Sequence, residues 1–215
     1  VSSSVASSGC AVRYAAHFAS HAARAVALLH GAPVTIATGG GPIALEPTAG
    51  GARVDMGAPR FDWDAIPLAY PMDTFTMPVG WESLEGPMAV NVGNPHCIFW
   101  VKDLDVVDLA KIGPMLEHHP LFPRRANITL ARIDARDRVV IKVWERGAGL
   151  TKACGTAACA VMAAGFRLKR LDAQATITLP GGDLFMAIRE SDGHVIMTGP
   201  VEYEFEGDLP PHLAV

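Results

Sequence analysis

The sequence predicts an α/β (α+β) fold of two pseudo-symmetric units, each a curved, mostly antiparallel sheet or barrel around a central helix. An internal repeat is the main observation, because ACGTAACAVMAAGFRLKRL (153–171) aligns with SSGCAVRYAAHFASHAARAVALL (7–29). The strand text that follows each copy repeats as well: VTIATGGGPIAL (34–45) beside ATITLPGGDLFMAI (175–188), and ARVDMGAP (52–59) beside HVIMTGPV (194–201). A helix, a Gly-Gly hairpin and a Gly-terminated strand in the same order indicate duplication rather than chance similarity.

The first copy is predicted to be mostly helix followed by three strands. Its helix should span 11–30 and end near Gly31, with Pro33 beyond it. Strands are expected near 33–38, 42–47 and 52–57. The segment PRFDWDAIPLAYPMDTF (59–75) is rich in proline and acids, which is typical of a linker or surface excursion between halves.

The second copy is predicted to be a complete unit at about 88–200. Its expected elements in chain order are strands at 88–93 and 97–101, a helical turn at 105–119, strands at 127–134 and 138–145, a helix from Cys154 to about Arg170, and strands near 175–180, 183–189 and 194–199. EYEFEG (202–207) is expected to be a closing strand that crosses back to the first half. The predicted organisation is therefore a remnant of an amino-terminal half at 1–75, a complete carboxy-terminal half at 76–201, and a closing strand and tail at 202–215.

Composition excludes several classes of protein. The 215 residues carry a net charge of -4 with interspersed signs, so no basic surface for nucleic acid or anionic membrane is expected. No apolar run approaches the roughly 20 residues that span a bilayer. The four cysteines have neither the spacing of a disulfide framework nor that of a CxxC metal site, which favours the reducing cytoplasm and no bound metal.

The most informative stretch is WERGAGLTKACGTAACA (144–160), which sets Cys154 at the expected amino end of a helix. The N–H groups of Gly155 and Thr156 have no intrahelical partner there, and the helix dipole favours a thiolate or a bound carboxylate. The alternative is a small buried residue at a helix start. In the repeat register Ser8 is the counterpart of Cys154, so two helix ends would face one cleft, which is the geometry of a two-base racemase.

Several uncommon motifs occur in an order that resembles the diaminopimelate epimerases, from about residue 30 to about 208. They are GNPH (93–96), EHHPLFPRRANI (117–128), WERGAG (144–149), ACGTAACA (153–160) and MTGPVEYEFEG (197–207). The resemblance implies interconversion of LL- and meso-2,6-diaminopimelate in lysine and peptidoglycan-precursor biosynthesis. It implies two cysteines that act on opposite faces of the α-carbon, with no metal, pyridoxal phosphate or other cofactor, in a cytoplasmic homodimer.

The resemblance also implies roles for individual residues. His96 matches the histidine that helps polarise one thiol, and Glu145 matches the acid that serves the other. The residues implied to bind substrate are Asn94, Asn127 (at the distal amino-acid group), Glu145, Arg146, Gly155, Thr156 and Gly9. A lone histidine is more often structural, and Arg146 read without its neighbours would be a solvated strand-end arginine. His118 and His119 are adjacent, so their side chains diverge, and a capping or packing role is favoured over a metal pair.

The amino end departs from the family pattern. Ser8-Gly9-Cys10 stands where members have a CGN-type turn with the first catalytic cysteine, and the substrate-binding asparagines and glutamine expected upstream are absent. A fragment, a wrong start codon and a frameshift near residue 10 all fit. Ser8 ionises too weakly to replace a thiol. We therefore expect slow exchange of a substrate α-proton on the Cys154 face without measurable epimerisation.

Two other functions stay open on the sequence. A proline racemase-type isomerase or dehydratase could use a single thiol, in which case Ser8 is an adaptation. A non-enzymatic, degenerate fragment is the other. Among the thiols, only Cys154 is expected to be strongly perturbed, with Cys97 and Cys159 inert in the core.

Overall fold

The computed structural model describes residues 2–7, 10–15, 32–38 and 41–200. Its strands are β1 (Ser2–Ser7), β2 (Cys10–Ala15), β3 (Val34–Thr38), β4 (Gly41–Thr48), β5 (Gly51–Asp55), β6 (Gly80–Trp81), β7 (Leu84–Glu85), β8 (Met88–Asn91), β9 (Pro95–Trp100), β10 (Asn127–Ala135), β11 (Arg138–Glu145), β12 (Gly149–Thr151), β13 (Gln174–Leu179), β14 (Gly182–Arg189) and β15 (His194–Pro200). Its described helices are α1 (Leu109–Glu117) and α2 (Gly155–Arg167). Neither of these two helices is long and apolar enough to cross a membrane.

One continuous mixed sheet organises the described residues. Its strand order is β2-β1-β3-β4-β5-β15-β14-β13-β11-β10-β9-β8, with β12 also paired to β11. The pairs β9–β10 and β11–β13 are parallel and the other pairs are antiparallel. Each parallel pair is joined by a crossover connection that contains a helix, α1 or α2, as is usual for parallel strands. The predicted α+β class with a mostly antiparallel sheet is confirmed.

The duplicated strand text forms two matching three-stranded meanders. Strands β3, β4 and β5 pair in order on one side, and β13, β14 and β15 pair in order on the other. The meanders meet where their last strands, β5 and β15, pair antiparallel. The repeated glycine-bounded strands therefore pair in the same order twice, whereas most of the first predicted helix lies outside the described residues.

The predicted first helix is wrong at its amino end. Residues 11–15 belong to β2, which pairs with β1 from Ser7↔Cys10 to Ser2↔Ala15. Val12 and Tyr14 are β-branched and aromatic residues that favour a strand, and they precede the alanine-rich text that suggested a helix. Residues 16–31, the predicted closing strand at 202–207, and the functional candidates Ser8 and Gly9 lie outside the described residues.

Helix α2 is the centre of the second unit, as predicted. Every residue from Ala157 to Gly165 is buried, and the sheet wraps the helix through strands that include β8, β14 and β15. Small side chains permit this close approach, since a Cβ on Gly165 would stand 2.4 Å from Leu171 Cδ1.

A second apolar cluster joins α1 to the segment predicted as a linker. Ile66 is fully buried and Leu68 is 5% exposed, in the same cluster as Ile112 and Leu116 of α1. Backbone hydrogen bonds in both directions between Arg60 and Asn91 tie the start of this segment to β8. The expectation of a surface excursion is wrong here, because the apolar side chains between its acids and prolines are used as core.

Candidate functional site

Cys154 lies at the amino end of α2, as predicted. Its backbone is extended, with φ -143° and ψ 98°, and the helix begins at Gly155. The sulfur stands 3.5 Å from Thr156 Oγ1. The side chain is buried, with 5% of the residue exposed. Cys154 therefore combines the helix-start position with the enclosure of a core residue.

Burial reverses the expected acidity of this thiol. The pKa of Cys154 is raised to about 12, first by burial and then by the negative charge of Glu145. The Thr156 hydroxyl and the Ala157 backbone N–H act in the opposite direction without offsetting it. The prediction of a low-pKa thiolate at the helix terminus is therefore wrong, because removal of the thiol from water outweighs the local donors. At neutral pH this thiol is therefore protonated.

Glu145 is brought to Cys154 by the tight turn between β11 and β12. Glu145 pairs with Gly149 across that turn, and Ala148 N donates to Glu145 O at 3.0 Å. The positive φ values of Gly147 (76°) and Gly149 (88°) make glycine the suitable residue at both positions. The Thr151 hydroxyl donates to Glu145 Oε1 at 2.6 Å, which holds the carboxylate in place.

The GNPH motif connects β8 to β9 and carries a fully buried histidine. His96 Nε2 lies 2.9 Å from Asn94 Oδ1, and Asn94 Nδ2 donates to Thr156 Oγ1 at 3.4 Å. Asn127 Nδ2 lies 3.4 Å from the same ring nitrogen. Burial, and then the charge of Arg146, lower the pKa of His96 to about 3, so the ring is neutral. His96 thus reaches Cys154 through Asn94 and Thr156.

Asn127 braces the GNPH motif against the Glu145 turn. It pairs with His96 in the parallel register of β9 and β10. Its Nδ2 donates to Pro95 O at 3.0 Å, while its Oδ1 accepts from Arg146 N at 2.9 Å. The Arg146 side chain donates through Nη1 to Arg124 O at 2.9 Å. The contact of Asn127 with the distal end of a substrate stays a prediction.

The structure therefore gathers seven of the predicted site residues. Asn94, His96, Asn127, Glu145, Arg146, Cys154 and Thr156 form one group linked by hydrogen bonds and charge interactions. Gly155 is buried at the helix start beside them. Ser8 and Gly9, the candidates for the opposite face, are not among the described residues.

His118, Cys97 and Cys159 have structural surroundings. His118 is the C-cap residue of α1, and its Nδ1 donates to Pro114 O at 2.8 Å, so its predicted capping role is confirmed. Cys97 and Cys159 are buried, and burial raises the pKa of Cys97 far above its ordinary value. The expectation that Cys154 alone is a strongly perturbed thiol is therefore wrong, because Cys97 is removed from water as completely. Within the described ranges no group of three His, Cys, Asp or Glu side chains could hold a metal ion.

Sequence reasoning missed two supporting residues. Thr151 holds Glu145, and Glu117 accepts hydrogen bonds from Trp144 Nε1 at 2.8 Å and Gly147 N at 3.0 Å. Glu117 opens the EHHPLFPRRANI motif, and its position in an apolar helix face was the available signal.

Comparison with known proteins matches the chain to one family. The family model described as diaminopimelate epimerase matches residues 88–204. A diaminopimelate epimerase from Erythrobacter litoralis is 54% identical over 187 residues, which are 87% of this chain and 69% of that protein. The diaminopimelate epimerase from Zymomonas mobilis is 47% identical over 188 residues, again 87% of this chain and 70% of that protein.

Solved structures agree on the fold. A phenazine biosynthesis protein of the PhzF family from Bacillus anthracis is similar with a TM-score of 0.60 and 15% identity, covering 93% of this chain and 82% of that one. A probable proline racemase from Agrobacterium radiobacter gives 0.59 and 12%, covering 88% and 66%. At such identities the likeness concerns the fold alone. The matched motifs and the level of identity to the curated relatives show that this chain belongs to the diaminopimelate epimerase family.

Proposed function

We propose that this chain is an isomerase that moves the α-proton of 2,6-diaminopimelate, the reaction that interconverts the LL and meso forms. The observation that carries the proposal is the enclosed Cys154 beside Glu145, at the amino end of α2, in a chain 54% identical to a named diaminopimelate epimerase. Substrate class and reaction are taken from the family to which the chain belongs.

The site chemistry suits proton delivery by Cys154. As a neutral thiol it gives its proton to the α-carbanion, and the electron pair of the S–H bond stays on sulfur. The Thr156 hydroxyl and the Ala157 N–H then stabilise the thiolate. In the reverse direction the thiolate takes the α-proton. The amino end of α2 offers N–H groups to the substrate carboxylate, whose negative charge grows in the transition state.

Glu145 makes this thiol responsive to substrate. Its charge is one of the causes of the high pKa of Cys154. An α-ammonium group bound against Glu145 neutralises that charge and lowers the pKa of the thiol when an amino acid is present. Ser8 stands at the position of the base for the opposite face and ionises too weakly to act as that base. A homodimer in the cytoplasm and the absence of a cofactor belong to the proposal through the family resemblance and the cysteine pattern.

The test is deuterium incorporation from heavy water at an α-carbon of LL-diaminopimelate, together with formation of the meso form. We expect slow deuterium incorporation by the 215-residue chain without accumulation of meso product, because Ser8 does not replace a thiol. Cys154→Ala should abolish incorporation. Cys159→Ala, in the same helix, is the matched control and should retain it. Incorporation that persists in Cys154→Ala, or its absence from the folded wild-type chain, would overturn the proposal.

A single-thiol reaction is the second candidate, and Ser8 is the observation that favours it. The same heavy-water assay with proline and 4-hydroxyproline separates the two. Cys154-dependent exchange or dehydration of a cyclic amino acid, without exchange of diaminopimelate, would assign the second function.

A further inference from the structure

Glu117 is a buried carboxylate with two neutral N–H donors. It ends α1, and only 4% of its side chain is exposed. Oε2 accepts from Trp144 Nε1 at 2.8 Å and Oε1 accepts from Gly147 N at 3.0 Å. Arg125 Nη1 lies 3.7 Å from Oε1 and supplies a countercharge. A buried carboxylate is costly unless its oxygens are satisfied, so these partners explain why the charge is tolerated.

The two donors bracket the functional pair in the chain. Trp144 precedes Glu145, and Gly147 follows Arg146. The Glu117 carboxylate therefore accepts hydrogen bonds from the residues on both sides of Glu145 and Arg146. A bidentate contact of this kind restricts rotation of the turn more than two unrelated hydrogen bonds to separate groups do.

Helix α1 also contacts Trp144 through Gly113, which lies one turn before Glu117. A Cβ on Gly113 would stand 2.5 Å from Trp144 Cγ, so the indole lies directly against the helix backbone. Gly113 and Glu117 are four residues apart and share a helix face. Gly149 lies near the outer edge of the same ring, where a Cβ would stand 3.5 Å from Trp144 Cη2. The indole ring therefore lies close to both glycines while its N–H donates to Glu117.

We infer that Glu117 is a positioning residue, which holds Glu145 and Arg146 at the substrate through Trp144 Nε1 and Gly147 N. Glu117 touches neither the substrate nor Cys154; it acts through the turn. The catalytic consequence rests on the proposed function, whereas the placement of Glu145 near Cys154 can be measured without any substrate.

Glu117→Gln is the most informative change. Glutamine keeps the volume but has one acceptor oxygen, so its amide group meets one of the two N–H donors. With the turn released, Glu145 should move from Cys154 and the thiol should become more acidic. We expect the rate of Cys154 modification by methyl methanethiosulfonate at pH 8, followed by peptide mapping, to rise at least threefold. The indole N–H resonance of Trp144, assigned with Trp144→Phe, should move upfield and exchange faster with solvent.

A double-mutant cycle separates positioning from other effects. Glu145→Gln alone should raise the Cys154 modification rate about tenfold, since a nearby like charge shifts a pKa by about one pH unit. Adding Glu117→Gln to Glu145→Gln should then change the rate by less than about 1.5-fold. If Glu117→Gln raised the modification rate equally in wild type and in Glu145→Gln, Glu117 would act by its own charge or by loosening the fold in general. That result would overturn the inference. Glu85→Gln, exposed in β7, is the matched control and should match wild type.

Two further experiments separate failure of the positioning role from failure of the proposed function. If Glu117→Gln does not fold, Trp144→Phe removes the indole donor of the Glu117 contact instead. It should give a smaller rise in the Cys154 modification rate, and this rise should also disappear in the Glu145→Gln background. In the heavy-water assay, Glu117→Gln should lower the limiting exchange rate about tenfold with Glu85→Gln unchanged. An unchanged thiol rate and unchanged exchange in folded Glu117→Gln would overturn the positioning role. Loss of Cys154-dependent exchange in wild type, with the thiol coupling intact, would overturn only the proposed function.

Discussion

At the residue scale, Cys154 is controlled by opposing neighbours. Burial and Glu145 raise the pKa of the thiol to about 12, and Thr156 and the Ala157 N–H act to lower it. Because the folded-state pKa lies above the ordinary thiol pKa of 9.0, the thiol favours the folded state up to about pH 9 and loses that contribution as the pH rises towards 12. Small changes around the sulfur should therefore alter its reactivity measurably.

We predict that Thr156→Val slows modification of Cys154 at pH 8 by roughly three- to tenfold. Valine keeps the shape of threonine but removes the hydroxyl that favours the thiolate. Thr156→Ser retains the hydroxyl and should react at nearly the wild-type rate. The measurement is the rate of methyl methanethiosulfonate modification with peptide mapping, and faster modification of Thr156→Val would contradict the assigned role.

His96 supplies a second prediction, for stability at low pH. Its pKa is lowered from 6.5 to about 3, so the unfolded chain takes up a proton on this ring below pH 6.5 while the folded chain does not. The stabilisation present above pH 6.5 should decline as the pH falls towards 3. By pH 4.5 this group alone should remove about 3 kcal/mol of the free energy of unfolding.

Urea unfolding of wild type and His96→Gln at pH 7.0 and pH 4.5 provides the measurement. The variant should lose about 3 kcal/mol less than wild type between the two pH values. His118→Gln, at the exposed C-cap of α1, is the matched control. Equal pH dependence in His96→Gln and wild type would show that the ring is not held neutral.

At the scale of elements, α1 supports the β11–β12 turn by close contact. The helix places Gly113 against the Trp144 ring and Glu117 on its N–H. In β9 and β10 the parallel register sets Asn127 beside His96, which links the two turns that carry the site. The positions of Glu145 and Arg146 therefore depend on packing by a helix that is remote from them in sequence.

Gly113→Ala should destabilise the protein by about 1–3 kcal/mol, although alanine is the better helix former. The added Cβ would overlap Trp144 Cγ and Cδ2, both 2.5 Å away. Urea unfolding would measure the loss, and the Trp144 indole N–H resonance would report the displaced ring. Lys111→Ala, on the exposed side of the same helix, should be nearly neutral. A Gly113→Ala protein as stable as wild type would show that the Trp144 ring does not pack directly against the backbone of α1.

At the scale of the whole molecule, one strand pair joins the two meanders. Strands β5 and β15 pair from Asp55↔Ile196 to Gly51↔Pro200. Side chains reinforce the joint, since Asp55 contacts His194 Nδ1 at 2.8 Å and Arg189 Nη2 at 2.6 Å. These groups are partly exposed, so backbone pairing and the buried strand faces hold the joint more than the ion pairs do.

Gly51→Ala should weaken this joint strongly. A Cβ at Gly51 would stand 2.0 Å from Gly199 O, which is a backbone atom and cannot rotate away. We expect a loss of at least 2 kcal/mol in the free energy of unfolding, measured by urea denaturation. Gly50→Ala, whose Cβ would meet nothing within 4 Å, is the adjacent control. Similar stability of the two variants would contradict the close β5–β15 approach.

Short stretches of sequence were sufficient to predict many of the secondary-structure elements of this protein. The glycine-bounded strands after each repeat copy, the helix beginning after Cys154, and the turns carrying Asn94 and Glu145 depend on residues near one another in sequence. Turn chemistry, helix starts and alternation act over a few residues, so the pattern of amino acids determines them. The family motifs likewise lie within short stretches, and they predicted residues that the fold brings together.

Tertiary structure alone decided the ionisation of Cys154 and the role of Glu117. The acidity of a thiol depends on how much water and which charges surround it, and those come from strands distant in sequence. The same is true of Glu117, whose partners Trp144 and Gly147 lie about thirty residues away in the chain. It also explains Ile66, which the sequence placed in a linker but which is fully buried. The sequence by itself determined the elements around Cys154 and most of the residues that meet there; burial, created only when those elements pack, decided the protonation of Cys154 and His96.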